Sequence, residues 1–159
     1  MTTPFGIYDL KRNQGFMFIG TSDETSELAC DAIGLWWEKW GKEAYPQAES
    51  LLILCDSGGS LRADVPGCSY ELNKVDLQNL ANRLGMELRI THYPSYASKY
   101  NPIEHRLFPH VHRVCNGIIF KDAAMVASQM ATATTKTGLK VAAEVMEKVY
   151  KKGRKDTIR

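Results

Sequence analysis

The run Leu51-Leu52-Ile53-Leu54-Cys55 is the feature that most limits what this chain can fold into. An unbroken apolar run of strand length suits a central strand covered on both faces, because a half-solvated strand alternates apolar and polar side chains. The run stops abruptly at Asp56-Ser57-Gly58-Gly59-Ser60, a string of turn-forming residues. In open α/β sheets, ligands gather beyond the carboxyl ends of strands, so a carboxylate in this position is a metal-ligand candidate. Gly58 and Gly59 would let the backbone and a large ligand approach closely. The alternative is a plain turn, with Asp56 accepting from nearby backbone N–H groups. The run alone does not choose between them.

The flanking segments predict an α/β layer pattern with mixed strand direction. Phe5–Asp9 and Phe16–Ile19, joined by Lys11-Arg12-Asn13-Gln14-Gly15, read as a β-hairpin. A helix follows, with Thr21 and Glu24 at capping-box spacing and Ala29, Ile33, Trp36, Trp37 and Trp40 at helical spacing. Its tryptophans read as covering one face of a sheet, with an exposed binding platform as the alternative. Leu61–Ser69 reads as an irregular loop. Leu72, Val75, Leu80, Ala81 and Leu84 mark a second amphipathic helix closed by Gly85. Leu88 and Ile90 lie in a short strand that ends at His92-Tyr93-Pro94, and a polar loop spans Tyr96 to Tyr100. Asn101-Pro102 starts a helix that Pro109 should kink or split. Further helices are expected around Ala123–Ala131 and over Leu139–Tyr150, with a solvated basic tail after them.

Composition narrows the class. The chain has 159 residues, of which 44% are hydrophobic and 24% charged, enough apolar content for a core and against disorder as the main state. No apolar stretch approaches the ~20 residues that a membrane-spanning helix needs, and no secretory signal pattern opens the chain. A net charge of +2 permits nucleic-acid binding without demanding it. Cys30, Cys55, Cys68 and Cys115 are scattered and form no C-x-x-C pair, which fits a reducing cytosol better than a zinc knuckle or a disulfide framework.

Glu104 is the second carboxylate of interest. Asn101-Pro102-Ile103-Glu104 has capping-box spacing, which would turn Glu104 back onto the Asn101 N–H. The functional reading puts Glu104 one turn into a helix near the strand tips, facing Asp56 across a shared hard cation such as Mg²⁺ or Mn²⁺. Of the histidines His92, His105, His110 and His112, either of the first two could touch a scissile phosphate, and the four show no recognised zinc-ligand spacing.

These residues carry a family resemblance. Leu51–Ser60 resembles the second-aspartate strand of DDE transposases, and His92–Phe108, with its Asn-Pro-Ile-Glu-His-Arg-Leu-Phe run, resembles their glutamate motif. The nearest group is the insertion-sequence set known as Rhodopirellula-type transposases. Gly6-Ile-Tyr-Asp-Leu10, the Trp36-Trp37 helix and Thr134-Thr-Lys-Thr-Gly-Leu139 add to the match, which reaches to about Lys140. The resemblance implies a ribonuclease-H-like mixed sheet flanked by helices, in which carboxylates hold two divalent ions, Mg²⁺ or Mn²⁺, and DNA strands are cut and joined. Carried over, Asp56 is the second catalytic aspartate and Glu104 the catalytic glutamate, both metal ligands. DNA is the implied partner, with a homo-oligomer allowed, no membrane, and a cytoplasmic location.

The sequence departs from that pattern in three places. The first catalytic aspartate of the family lies upstream of the Gly-Ile-Tyr-Asp motif, and Asp9 is the only nearby acid here. The expectation is therefore a core that lacks its first central strand and is inactive alone, the alternative being a non-catalytic nucleic-acid-binding remnant. A missing strand would leave unpaired edges open to another chain, unless the hairpin pairs directly beside Leu51–Cys55. The second departure is Leu61–Tyr70, where the family's basic segment is absent, and the third is a Lys-rich continuation after Val141. The division expected is a partial catalytic core over residues 1–140, with a C-terminal helix and basic tail over 141–159.

Overall fold

A computed structural model of the chain describes residues 2–56, 72 and 74–151. The turn after Asp56, the Leu61–Ser69 loop, Cys68 and the basic tail beyond Lys151 lie outside the described residues. The protein is a mixed α/β chain that divides into two compact units, Met1–Asp23 with Lys99–Val149 and Glu24–Ser98 with Tyr150–Arg159. Its described strands form two sheets.

The first unit is built on the expected hairpin. Strands β1 (Thr3–Asp9) and β2 (Gln14–Gly20) pair antiparallel, from Thr3 opposite Gly20 to Asp9 opposite Gln14. The turn works because Asn13 adopts a left-handed φ of 52°, a conformation that Asn tolerates better than most side chains. Asp9 Oδ1 accepts from the N–H groups of Lys11 and Arg12 at 3.0 and 3.1 Å and so fastens the turn.

The open side of β2 is taken by β5 (Lys140–Met146), which runs parallel to it from Gln14 opposite Lys140 to Gly20 opposite Met146. This overturns the helix expected over Leu139–Tyr150. Ala, Glu and Met in this segment favour a helix, but Val141, Ala143 and Val145 also alternate with a period of two and pack on the core of this unit. Pairing with a strand edge outweighs a weak local preference. Within this unit the strand order is β1-β2-β5.

Helices cover one face of this sheet. As expected, the helix after Asn101-Pro102 is split, into α4 (Ile103–Arg106) and α5 (Phe108–Cys115), with Pro109 in the first turn of the second. Helix α6 (Ala123–Met130) is capped by Asp122, whose carboxylate accepts from the Met125 N–H at 2.8 Å. Met17 and Ile19 of β2 meet Leu107, Val111, Val126, Ala127 and Met130 in one core. Gly15 is required here by space. A Cβ on it would stand 2.3 Å from Leu107 Cδ1, and Leu107 is fully buried.

In the second unit, helix α1 (Ser26–Trp36) starts one turn later than expected. Its N-cap is Thr25, not Thr21: the Thr25 backbone is extended, and its hydroxyl accepts from the Leu28 N–H at 3.1 Å. The helix runs on through a π-helical turn (Trp37–Gly41) into a short α2 (Lys42–Ala44). Trp36 and Trp37 are buried with ring centroids 6.0 Å apart, not displayed as a platform. Gly41 lets these rings close in, since a Cβ there would lie 2.6 Å from the Trp37 ring. Helix α3 (Lys74–Leu84) ends at Gly85, whose φ of 66° is the expected left-handed stop.

Helix α1 packs on α3. Arg83 of α3 reaches the Cys30 carbonyl at 3.3 Å and the Asp31 carboxylate at 3.7 Å, and the Tyr150 hydroxyl donates to Asp31 at 2.7 Å. Burial, and then the Asp31 bond and charge, hold the Tyr150 hydroxyl proton well above its ordinary range. Burial, reinforced by the Asp76 charge, pushes the Cys30 thiol up to about 12. Among the described residues no cysteine is in a disulfide.

The strands of this unit are β3 (Ser50–Asp56) and β4 (Glu87–Tyr93), paired in parallel from Ser50 opposite Glu87 to Asp56 opposite Tyr93. The expectation of a central strand covered on both faces fails for β3. Its one partner among the described residues is β4, and Leu52 is 58% exposed.

Candidate active site

Asp56 closes β3 at its carboxyl end, and Tyr93 closes β4 opposite it. Parallel pairing makes both strands end at the same edge of the pair. A 3₁₀ helix over Ser95–Tyr100 follows β4, where a polar loop was expected. His92, one residue inside the end of β4, is exposed and stands opposite Cys55 in the register.

Glu104 belongs to the other unit, in the first turn of α4. Its position follows from how that helix begins. Asn101 is 4% exposed, and its backbone carbonyl accepts from the Glu104 N–H at 2.9 Å. The Asn101 side-chain oxygen faces the Ile103 N–H at 3.4 Å. Pro102 enters with helical backbone angles. Ile103 and Leu107, one turn apart, sit against the core, which leaves Glu104 half-buried on the flank of that stripe. The buried Asn101 is thus the residue that sets the first turn under Glu104. The Asn-Pro pair signalled the helix start in the sequence; that Asn101 would be buried was not legible there.

The other acids and the histidines have mostly structural surroundings. Asp9 fastens the hairpin turn through two N–H groups. His105 Nε2 meets the Lys99 carbonyl, tying α4 to the end of the 3₁₀ helix. His110 Nδ1 lies 3.0 Å from an Arg113 guanidinium nitrogen. Among the described residues, no group of three or more His, Cys, Asp or Glu side chains is gathered as a metal cluster. Asp56 and Glu104 are placed each within its own unit.

Comparison with known families supplies the class, that of DDE transposases. The chain belongs to the family described as the Rhodopirellula transposase DDE domain, whose model matches residues 1–157. The match runs past Lys140, to which the motif resemblance reaches, and so includes β5. No curated protein and no solved structure matches the chain. No helix among the described residues is long and apolar enough to cross a membrane.

Proposed function

We propose that this chain supplies two carboxylates, Asp56 and Glu104, of a ribonuclease-H-like transposase core that cuts and joins DNA strands in the cytoplasm. The observation that carries the reading is the family match over residues 1–157. Asp56 at the carboxyl end of a parallel strand, and Glu104 in a helical first turn held by Asn101, are consistent with it.

The donor chemistry fits the divalent cations of such a core. Carboxylate oxygens are hard ligands, suited to Mg²⁺ or Mn²⁺ more than to softer metals. When bound, a pair of such ions supplies charge stabilisation for in-line displacement at phosphorus. The chain's own contribution is to place Asp56 at the end of a strand and Glu104 in the first turn of a helix. Asp56 is fixed by the β3–β4 register and Glu104 by the Asn101-Pro102 start and the buried Ile103 and Leu107.

Calorimetric titration with Mn²⁺ tests the reading on the full chain. Wild-type protein should take up the ion. Asp56→Asn and Glu104→Gln should each weaken uptake about tenfold or more, a loss of ~1.4 kcal/mol or more per ligand. Uptake that neither substitution changes would overturn the assignment. DNA binding that persists without such uptake would leave a non-catalytic nucleic-acid-binding protein.

A further inference from the structure

The start of β5 lies beside the start of β2, and this puts two loops together that are far apart in sequence. Gln14 pairs with Lys140, so the hairpin turn that precedes Gln14 and the Thr-rich segment that precedes Lys140 leave from the same end of one sheet. Hydrogen bonds stitch them. Tyr8 donates its hydroxyl proton to Asn13 Oδ1 at 2.7 Å, and Asn13 Nδ2 donates to the Thr137 carbonyl at 3.4 Å. Within the Thr segment, the Thr134 hydroxyl donates to the Leu139 carbonyl at 3.1 Å, and the Thr135 hydroxyl accepts from the Leu139 N–H at 3.2 Å. An Arg113 guanidinium donates to the Thr134 carbonyl at 3.2 Å and brings α5 into the same network.

The charge on this end of the sheet is lopsided. Lys11, Arg12, Arg113, Lys136 and Lys140 are all exposed on these linked segments, and Asp9, occupied with the turn, is the one acid among them. The whole chain is nearly balanced, at 20 basic against 18 acidic residues. The threonine hydroxyls are engaged within the loop, Thr134 with the Leu139 carbonyl and Thr135 with Thr137 at 2.9 Å, and so hold the loop that carries Lys136 in shape. Exposed cations on segments that hydrogen bonds tie together suit the regular anionic backbone of duplex DNA, and such contacts position a duplex without reading its sequence.

We propose that the hairpin turn at Lys11-Arg12-Asn13 and the Thr132–Gly138 loop form one phosphate-gripping surface for duplex DNA, separate from the carboxylates. It rests on the proposed reading only in taking DNA as the partner. Asn13 is a positioning residue: its amide holds the turn against the Thr loop, so the cations of both act on one stretch of backbone.

The experiment measures the affinity of the full chain for a duplex of arbitrary sequence across a salt series, with EDTA present. Metal binding then plays no part, and failure of the Asp56 and Glu104 assignment would leave the measurement unaffected. The triple variant Lys11→Ala, Arg12→Ala, Lys136→Ala should flatten the plot of log affinity against log salt by about 2–3 in slope and weaken binding on the order of tenfold or more near ~0.1 M salt. A control triple in the other unit, Lys39→Ala, Lys42→Ala, Lys74→Ala, should leave the slope close to wild type. Asn13→Gly keeps the charge and tolerates the left-handed turn, and should weaken binding several-fold with the slope reduced by less than one cation's worth, ~0.9. Equal slopes for the two triples, or no change in either, would overturn the proposal. So would loss of heparin retention by the first triple with DNA affinity intact, which would mark a general anion surface.

Discussion

Phe16–Ile19 and Leu51–Cys55 are similarly apolar runs of strand length, yet they meet different surroundings. Phe16, Met17, Phe18 and Ile19 are each 3% exposed or less, on a strand flanked by β1 and β5. Leu51–Cys55 reads as a strand covered on both faces, but Leu52 is 58% exposed and β3 has β4 alone as partner among the described residues. The contrast teaches that apolarity sets a strand's demand for cover, while the number of neighbouring strands and helices decides how far that demand is met. In the first unit the demand of β2 is met by a C-terminal strand whose local sequence favours a helix.

This contrast can be broken by substitution. Phe18→Ala should be the most damaging change, costing ~3–5 kcal/mol, because a fully buried ring would leave a cavity beneath two strand neighbours. Denaturant unfolding monitored by circular dichroism checks this, and a cost near that of a surface change would mean that β2 is less covered than its exposure states.

Alkaline pH sharpens the comparison from the side of the second unit. The Cys30 thiol is held neutral by burial, with its folded value raised from 9.0 to about 12. A raised folded value gives stability that is whole below 9.0 and drains away as pH climbs towards about 12, because the unfolded thiol ionises first. Cys30→Ala should therefore flatten the loss of stability across that window, as read from urea midpoints at stepped pH. An unchanged pH profile would place the thiol in wetter surroundings. Cys115 in the first unit is also raised by burial, and the same substitution there should do less, since it lies nearer the surface.

The smallest effect is expected at Leu52→Thr, within ~0.5 kcal/mol of wild type, since a β-branched residue suits an exposed strand position. A cost of several kcal/mol, seen in the same unfolding experiment, would show that β3 is buried in solution after all and would erase the difference between the two runs.

Much of the architecture was legible in local sequence. The Lys11–Gly15 connection between two apolar runs marked the hairpin, Gly85 marked the end of α3, Pro109 marked the division between α4 and α5, and Asn101-Pro102 marked the start of the helix bearing Glu104. Asp56 at a strand end was legible for the same reason: an apolar run that stops at Asp-Ser-Gly-Gly has one natural place to end. Each of these signals acts through the backbone angles and hydrogen bonds of a few adjacent residues, which the sequence states directly.

Other features needed partners distant along the chain. Thr25, and not Thr21, caps α1 because its hydroxyl meets Leu28 at the point where buried residues begin. Lys140–Met146 becomes a strand because β2 offers it an edge, and Asn13 meets Thr137 only because that pairing sets their register. By itself, the sequence determined where helices and turns begin and end and which acids stand at their tips. Tertiary structure alone decided which apolar run is covered and which basic loops share a surface, because burial and convergence depend on segments that come together only when the chain closes on itself.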